Sequence, residues 1–217
     1  MKKQVTVFGA SGLVGNFLIQ ELLKDASVTK INLVSRIPIP NAHEKVVSHV
    51  IDFSNETEIE NCIRNSTTVF SAIGTTQAKV NGDKVAYSKI DYDINLRIAT
   101  RCLKLKTPQF QLVSSGGADA TSSNFYLRLK GEIERDVFDL KLPSAIILRP
   151  SLLIGKRKEF RFGERIAQLL MPLFSFLFPV NYKPVKARWV AEKMNAYAKL
   201  SLPGNHIISN KEFFEKM

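Results

Sequence analysis

From residue 4 to residue 148 the chain alternates short runs of β-branched and aromatic residues with longer segments whose apolar positions recur every three or four residues. A period of two puts successive side chains on opposite faces of a strand, and a period near 3.6 draws an apolar stripe along a helix. Strands are therefore predicted at 4–8, 30–35, 46–51, 67–73, 109–113 and 144–148. Helices are predicted at 13–25, 56–64, 85–104 and 125–140. Such alternation argues for an α/β fold, a Rossmann-type doubly wound parallel sheet with helices on both faces. Past Pro150 the regularity fades into a helix within 161–178, another over 185–200 and a short strand at 206–208. Residues 151–217 are too few for a separate core, so a single domain carrying a short substrate-side C-terminal cap is expected.

Composition narrows the class without naming a function. The 217 residues are 45% hydrophobic and 24% charged, enough to bury a core. Cys62 and Cys102 stand alone and read as reduced thiols. Three histidines, His43, His49 and His206, support no zinc cluster, and no metal is expected. Lys2-Lys3 is followed too soon by Thr6 and Gly9 for a secretory leader, and 166–180 is broken by Gln168, Pro172 and Ser175. A soluble, cytoplasmic protein is the expectation, monomer or homodimer.

The net charge of +11 needs a location. Ten Lys or Arg against three Glu lie between Lys156 and Lys199. Basic helices interleaved with aromatics are lacking, so no nucleic acid is expected, and an anionic cofactor or substrate suits the potential. The apolar stripe from Leu169 to Phe178 reads first as core or subunit contact and only second as a peripheral membrane surface.

Gly9-Ala10-Ser11-Gly12-Leu13-Val14-Gly15 links the first strand to the first helix. A glycine-rich turn there lets backbone approach a dinucleotide pyrophosphate, and the helix N-terminus adds unpaired N–H groups. An NAD-binding unit ordinarily has a carboxylate at the end of its second strand for the ribose hydroxyl. Here that end reads Ser35-Arg36, and a guanidinium suits a 2′-phosphate. NADP(H) is thus the expected cofactor, with NAD(H) as the alternative. Asp52 after the third strand and Ile73-Gly74 after the fourth are further candidates for the adenine and ribose.

Ser114-Ser115 closes the fifth strand, and Tyr126 and Lys130 follow on one helix face. A phenol with a pKa near ~10 is a poor acid or base at neutral pH, and a neighbouring ammonium favours its anion. A serine hydroxyl beside it can hold a carbonyl oxygen while the phenol moves a proton. Adjacent strand residues face opposite ways, so Ser115 and Ser114 both remain candidates. A second Tyr-x-x-x-Lys, Tyr182 to Lys186, contains Pro184 and is not expected to be helical.

These motifs, with Gly74-Thr75-Thr76, Gly117-Ala118-Asp119, Ser122-Ser123-Asn124-Phe125, Lys130-Gly131-Glu132 and Arg149-Pro150, resemble the atypical short-chain dehydrogenases/reductases. The likeness is strongest to the Tat-interacting-protein-like oxidoreductases. It implies NADP(H) binding, Tyr126 as proton donor or acceptor, and Lys130 bridging cofactor ribose and phenol. It also implies cofactor contacts at Ser11, Gly12, Leu13, Val14, Arg36, Ile73, Leu153 and Arg161. Asn95 is either the helix-borne Asn that some members use or an ordinary helix residue. The expected function is hydride transfer on a small carbonyl or alcohol. The alternative is a non-catalytic NADP(H) sensor acting in regulation or assembly, and a nucleotide-sugar epimerase ranks third because the tail is short.

Overall fold

The computed structural model describes residues 2–40, 43–155, 179–200 and 202–215. The predicted helix within 161–178, Arg161 and the apolar stripe lie outside them. Seven parallel strands form the main sheet in the order β3-β2-β1-β4-β5-β6-β9. They are β1 (Lys3–Phe8), β2 (Val28–Ser35), β3 (Val46–Val50), β4 (Thr68–Ser71), β5 (Gln109–Val113), β6 (Ser144–Leu148) and β9 (Gly204–Ile208). Two short strands, β7 (Leu153–Ile154) and β8 (Val185–Lys186), pair separately.

The two-residue period explains why both faces of the central strands are dry. Val5 and Val7 of β1, Ile31 and Leu33 of β2, and Ile146 and Leu148 of β6 pack under α1 (Leu13–Lys24) and the helix Ala187–Tyr197. Phe8, Val34, Ala145 and Ile147 point the other way, toward α2 (Glu56–Ile63), α4 (Ile94–Lys104) and α5 (Phe125–Asp139). Polar intruders are paired: Thr6 Oγ1 and Asn32 Nδ2 both donate to the Cys62 carbonyl, at 2.7 and 2.9 Å. Burial raises the Cys62 thiol to about 11 and pushes Cys102 up as well, so both stay protonated.

Two predicted helices divide. Residues 85–104 form α3 (Lys84–Ser88), a π-helical turn over Lys89–Asp93, and α4. The Asn95 side chain donates to the Asp91 carbonyl at 2.8 Å, and the widened turn aims Asp91 inward. Residues 185–200 begin instead as β8, because Val185 N–H donates to Leu152 O at 2.9 Å, and only then form α6 (Ala187–Tyr197).

The expected cap needs correction as well. Part of 151–217 belongs to the domain body, since β9 is the edge strand beside β6 and α6 packs on α1. Gln109 and Gln111 of β5 donate to the C-terminal carbonyls of α6 at Tyr197 and Met194, at 3.2 and 3.1 Å. Lys3 Nζ donates to Ala198 O at 2.7 Å.

Asp25, just past α1, ties this layer together through Lys199 at 2.9 Å and Ser27 N–H at 2.9 Å. Burial alone would raise its carboxyl, but Lys199 and Ser27 hold it down at about 2. A depressed folded value contributes stability above the unfolded value and loses it as pH falls toward 2. Asp25→Asn should therefore cost about 1–2 kcal/mol at pH 7. Urea midpoints of the two proteins should converge as pH drops below about 4.

Candidate functional site

The strand order reverses between β1 and β4, and loops from the carboxyl ends of neighbouring strands gather there. Phe8 pairs with Val34 on one side and Ser71 on the other, so Gly9–Gly15, Ser35–Arg36 and Ala72–Gly74 leave the sheet at the same edge. Gly9 has φ +80°, and a Cβ on it would lie 2.6 Å from Ala72 C, so β1 turns hard against β4. Gly12 N–H donates back to Gly9 O at 3.0 Å.

Gly12 caps α1 with no side-chain bond, and the first turn has no acidic residue. By contrast Asn55, Asp83 and Asn124 cap α2, α3 and α5 with their own side chains. The α1 N-terminus therefore offers its amides and positive dipole end to an anion from outside. The turn leaves no room for a Cβ at Gly9, and its amides are uncapped: these features fit a dinucleotide pyrophosphate.

The remaining cofactor candidates fall around this turn in different ways. Ser11 is exposed and Leu13 half-buried, whereas Val14 is buried in the core and can offer only its backbone. A Cβ on Gly155 would touch the Leu13 side chain, which places the β7 end, including half-buried Leu153, beside the turn. Arg36 is exposed after a bend in which Ser35 Oγ donates to Ile37 O at 2.5 Å. Asp52 is exposed, and its carboxylate accepts from Ser54 N–H and Oγ, bonds that hold it below the usual range. Ile73 is buried among α4 side chains, while Gly74 is exposed.

Tyr126 and Lys130 lie one turn apart on α5, which starts where Asn124 accepts from the Tyr126 and Leu127 amides. The Tyr126 ring is half-buried and meets Tyr87 edge-on at 6.3 Å. Lys130 is only 5% exposed, with its ammonium 2.7 Å from Asp91 Oδ1. Burial by itself would lower its pKa, but Asp91, Tyr126 and Glu134 together raise it, so it remains charged.

The two serines part company. Buried Ser114 donates to Glu134, which in turn is gripped by the Arg149 guanidinium. Among the described residues, half-buried Ser115 makes one long side-chain contact, 3.3 Å to Gly116 O, so its hydroxyl keeps capacity for another partner. The loop after it is pressed on α5: Asp119 N–H donates to Leu127 O at 3.1 Å. Glu134 and Arg149 also line an open cleft of about 420 Å³ with Ala118, Phe138 and Ile207.

Asn95 is fully buried, accepting from Ser71 Oγ at 2.5 Å and donating to Asp91 O, so it serves as a strut between β4 and the π-turn. Tyr182 sits in a 3-10 turn and is exposed, so the second Tyr-x-x-x-Lys pair has no shared helix. Asp91 and Tyr87 escaped the sequence reading. Their four-residue spacing with Asn95 along one predicted helix was the available signal.

Comparison with known proteins places the chain in a family. The HIM1 family model matches residues 27–173. Protein HTATIP2 of Rattus norvegicus is 33% identical over 169 residues, covering 76% of this chain and 69% of its own. Mitochondrial protein fmp52 of Aspergillus niger is 34% identical over 168 residues, covering 75% and 71%. MoeE5, solved in complex with UDP-glucose and NAD, superposes with a TM-score of 0.73 at 15% identity, covering 97% of this chain and 79% of that one. The UDP-glucose 4-epimerase of Thermotoga maritima gives 0.72 at 14%, covering 95% and 76%. Those distant likenesses show the Rossmann-type fold alone. Among the described residues no helix is long and apolar enough to cross a membrane. The family match and the two curated relatives agree, and with them the chain belongs to the HIM1 family.

Proposed function

We propose that this protein is an NADP(H)-dependent oxidoreductase acting on a small carbonyl or alcohol, with Tyr126 as the proton donor or acceptor. The observation that carries the reading is the buried, charged Lys130 one turn from Tyr126 on α5, at the sheet edge that bears the glycine turn. The Gly9–Gly15 turn and the α1 amides would hold the pyrophosphate, with Arg36 and Ser11 taking a 2′-phosphate. A bound nicotinamide would supply or accept the hydride. Lys130 favours the anionic phenol, Tyr126 passes a proton to or from the substrate oxygen, and Ser115 hydrogen-bonds that oxygen.

The test is consumption of NADPH with a panel of aldehydes and ketones. Cofactor binding without Tyr126-dependent turnover of any compound would move the reading to a cofactor sensor. Location is proposed as cytoplasmic, against the mitochondrial label of the fmp52 relative. Subcellular fractionation decides between the two.

Cofactor choice has its own expected result. A guanidinium paired with phosphate contributes charge-assisted bonds of about 1.5–3 kcal/mol, or roughly 10–100-fold in affinity. Arg36→Ala should weaken NADPH by that factor and leave NADH within about threefold. Equal NADPH affinity in the two proteins would remove the assignment.

A further inference from the structure

Asp91 is a carboxylate with no place in the sequence reading, yet it is 1% exposed and both its oxygens are engaged. Oδ1 meets the Lys130 ammonium at 2.7 Å, and Oδ2 accepts from Thr75 N–H at 2.6 Å. Thr75 follows Gly74 in the turn that leaves β4, and a Cβ on Gly74 would come within 3.4 Å of Asp91 Oδ1. The residue therefore joins the cofactor edge of the sheet to the helix that bears Tyr126. It reaches there because the π-turn Lys89–Asp93 displaces it from a regular helical path, with its own carbonyl held by Asn95.

We propose that Asp91 is a positioning residue for the proton-transfer pair, holding Lys130 and the Gly74–Thr75 turn in one register and offsetting the charge that Lys130 presents to Tyr126. The inference rests on the oxidoreductase reading for its purpose, but its geometry does not. A buried ammonium with no counter-ion is costly, so a lysine needed at this depth must bring an anion with it. The same anion opposes the pull that the ammonium exerts on a neighbouring phenol.

Among the described residues, the other groups around the pair leave Asp91 as the acid facing it from outside α5. Tyr126 and Glu134 face Lys130 from its own helix, and Glu134 is matched by Arg149 at the end of β6. Tyr87 from α3 meets Tyr126 with its ring, and Lys84 lies over the adjoining Phe125 ring at 5.5 Å. Arg97 and Arg101 of α4 are directed to Phe53 O and to Glu56 and Glu60.

Tyrosinate absorbance tests this on the full chain without any substrate. Subtracting the titration of Tyr126→Phe isolates Tyr126 from the other four of the five tyrosines. Asp91→Asn should lower the Tyr126 midpoint by about one pH unit or more, and Asp91→Glu should leave it within about 0.3 unit. The double variant Asp91→Asn/Lys130→Met carries no unpaired buried ion, so it serves if Asp91→Asn does not fold. Its midpoint should stay within about half a unit of wild type, because two opposed charges have been removed together. A midpoint unmoved or raised by Asp91→Asn overturns the proposal, as does a double variant raised by about one unit or more. An inactive carbonyl panel would remove the enzymatic reading while this titration still reported on Asp91.

Discussion

Tyr126→Phe is expected to lower carbonyl-dependent NADPH consumption by about 10²–10⁴-fold, the usual contribution of a positioned acid or base. The substitution deletes one oxygen and keeps the ring, so the edge-on contact with Tyr87 and the start of α5 at Asn124 survive. Dinucleotide affinity should stay within about threefold, because the glycine turn and Arg36 are untouched. Stopped-flow turnover beside a binding titration separates the two effects. Equal loss of binding and turnover would mean that the phenol shapes the pocket and does not move a proton.

Gly15→Ala should have a large structural effect on the glycine turn. A Cβ there would stand 2.3 Å from Gly9 O, 2.9 Å from Gly9 C and 3.0 Å from Ala10 Cα. All three are backbone atoms of the turn itself, so α1 must back away from β1 or the turn must open. We expect a loss of about 3 kcal/mol or more in urea unfolding. Any folded remainder should lose NADPH binding, since the α1 amides are aimed by that turn. Gly82→Ala is the control: its φ of +78° strains an alanine, but nothing lies within 4 Å of the new methyl. It should cost only about 1 kcal/mol and leave binding intact.

Much of this architecture could be read from the chain. The boundaries of β5 and β6 coincide with the predicted ones, because buried parallel strands are short apolar runs bounded by Pro, Gly and Ser. The glycine turn and Tyr126–Lys130 were equally legible, since both depend on spacing within one local element. The interrupted helix over 84–104 was not, because a π-turn is forced by bonds to residues from other elements, Thr75 and Lys130 among them. Nor was the division of labour between the serines. Ser114 is withdrawn from the site by Glu134, twenty residues further along the chain.

Local patterns along the chain specified the alternation of strands and helices, the strand–turn–helix that can hold a phosphate, and the one-turn separation of phenol and ammonium. Each follows from side-chain periodicity and from what glycine permits locally. Tertiary structure decided the rest: β9 closes the sheet, α6 is capped by glutamines of β5, and Lys130 meets its counter-ion on a different helix. Burial and charge pairing are properties of surfaces brought together, and no local pattern specifies which distant residue will supply the partner.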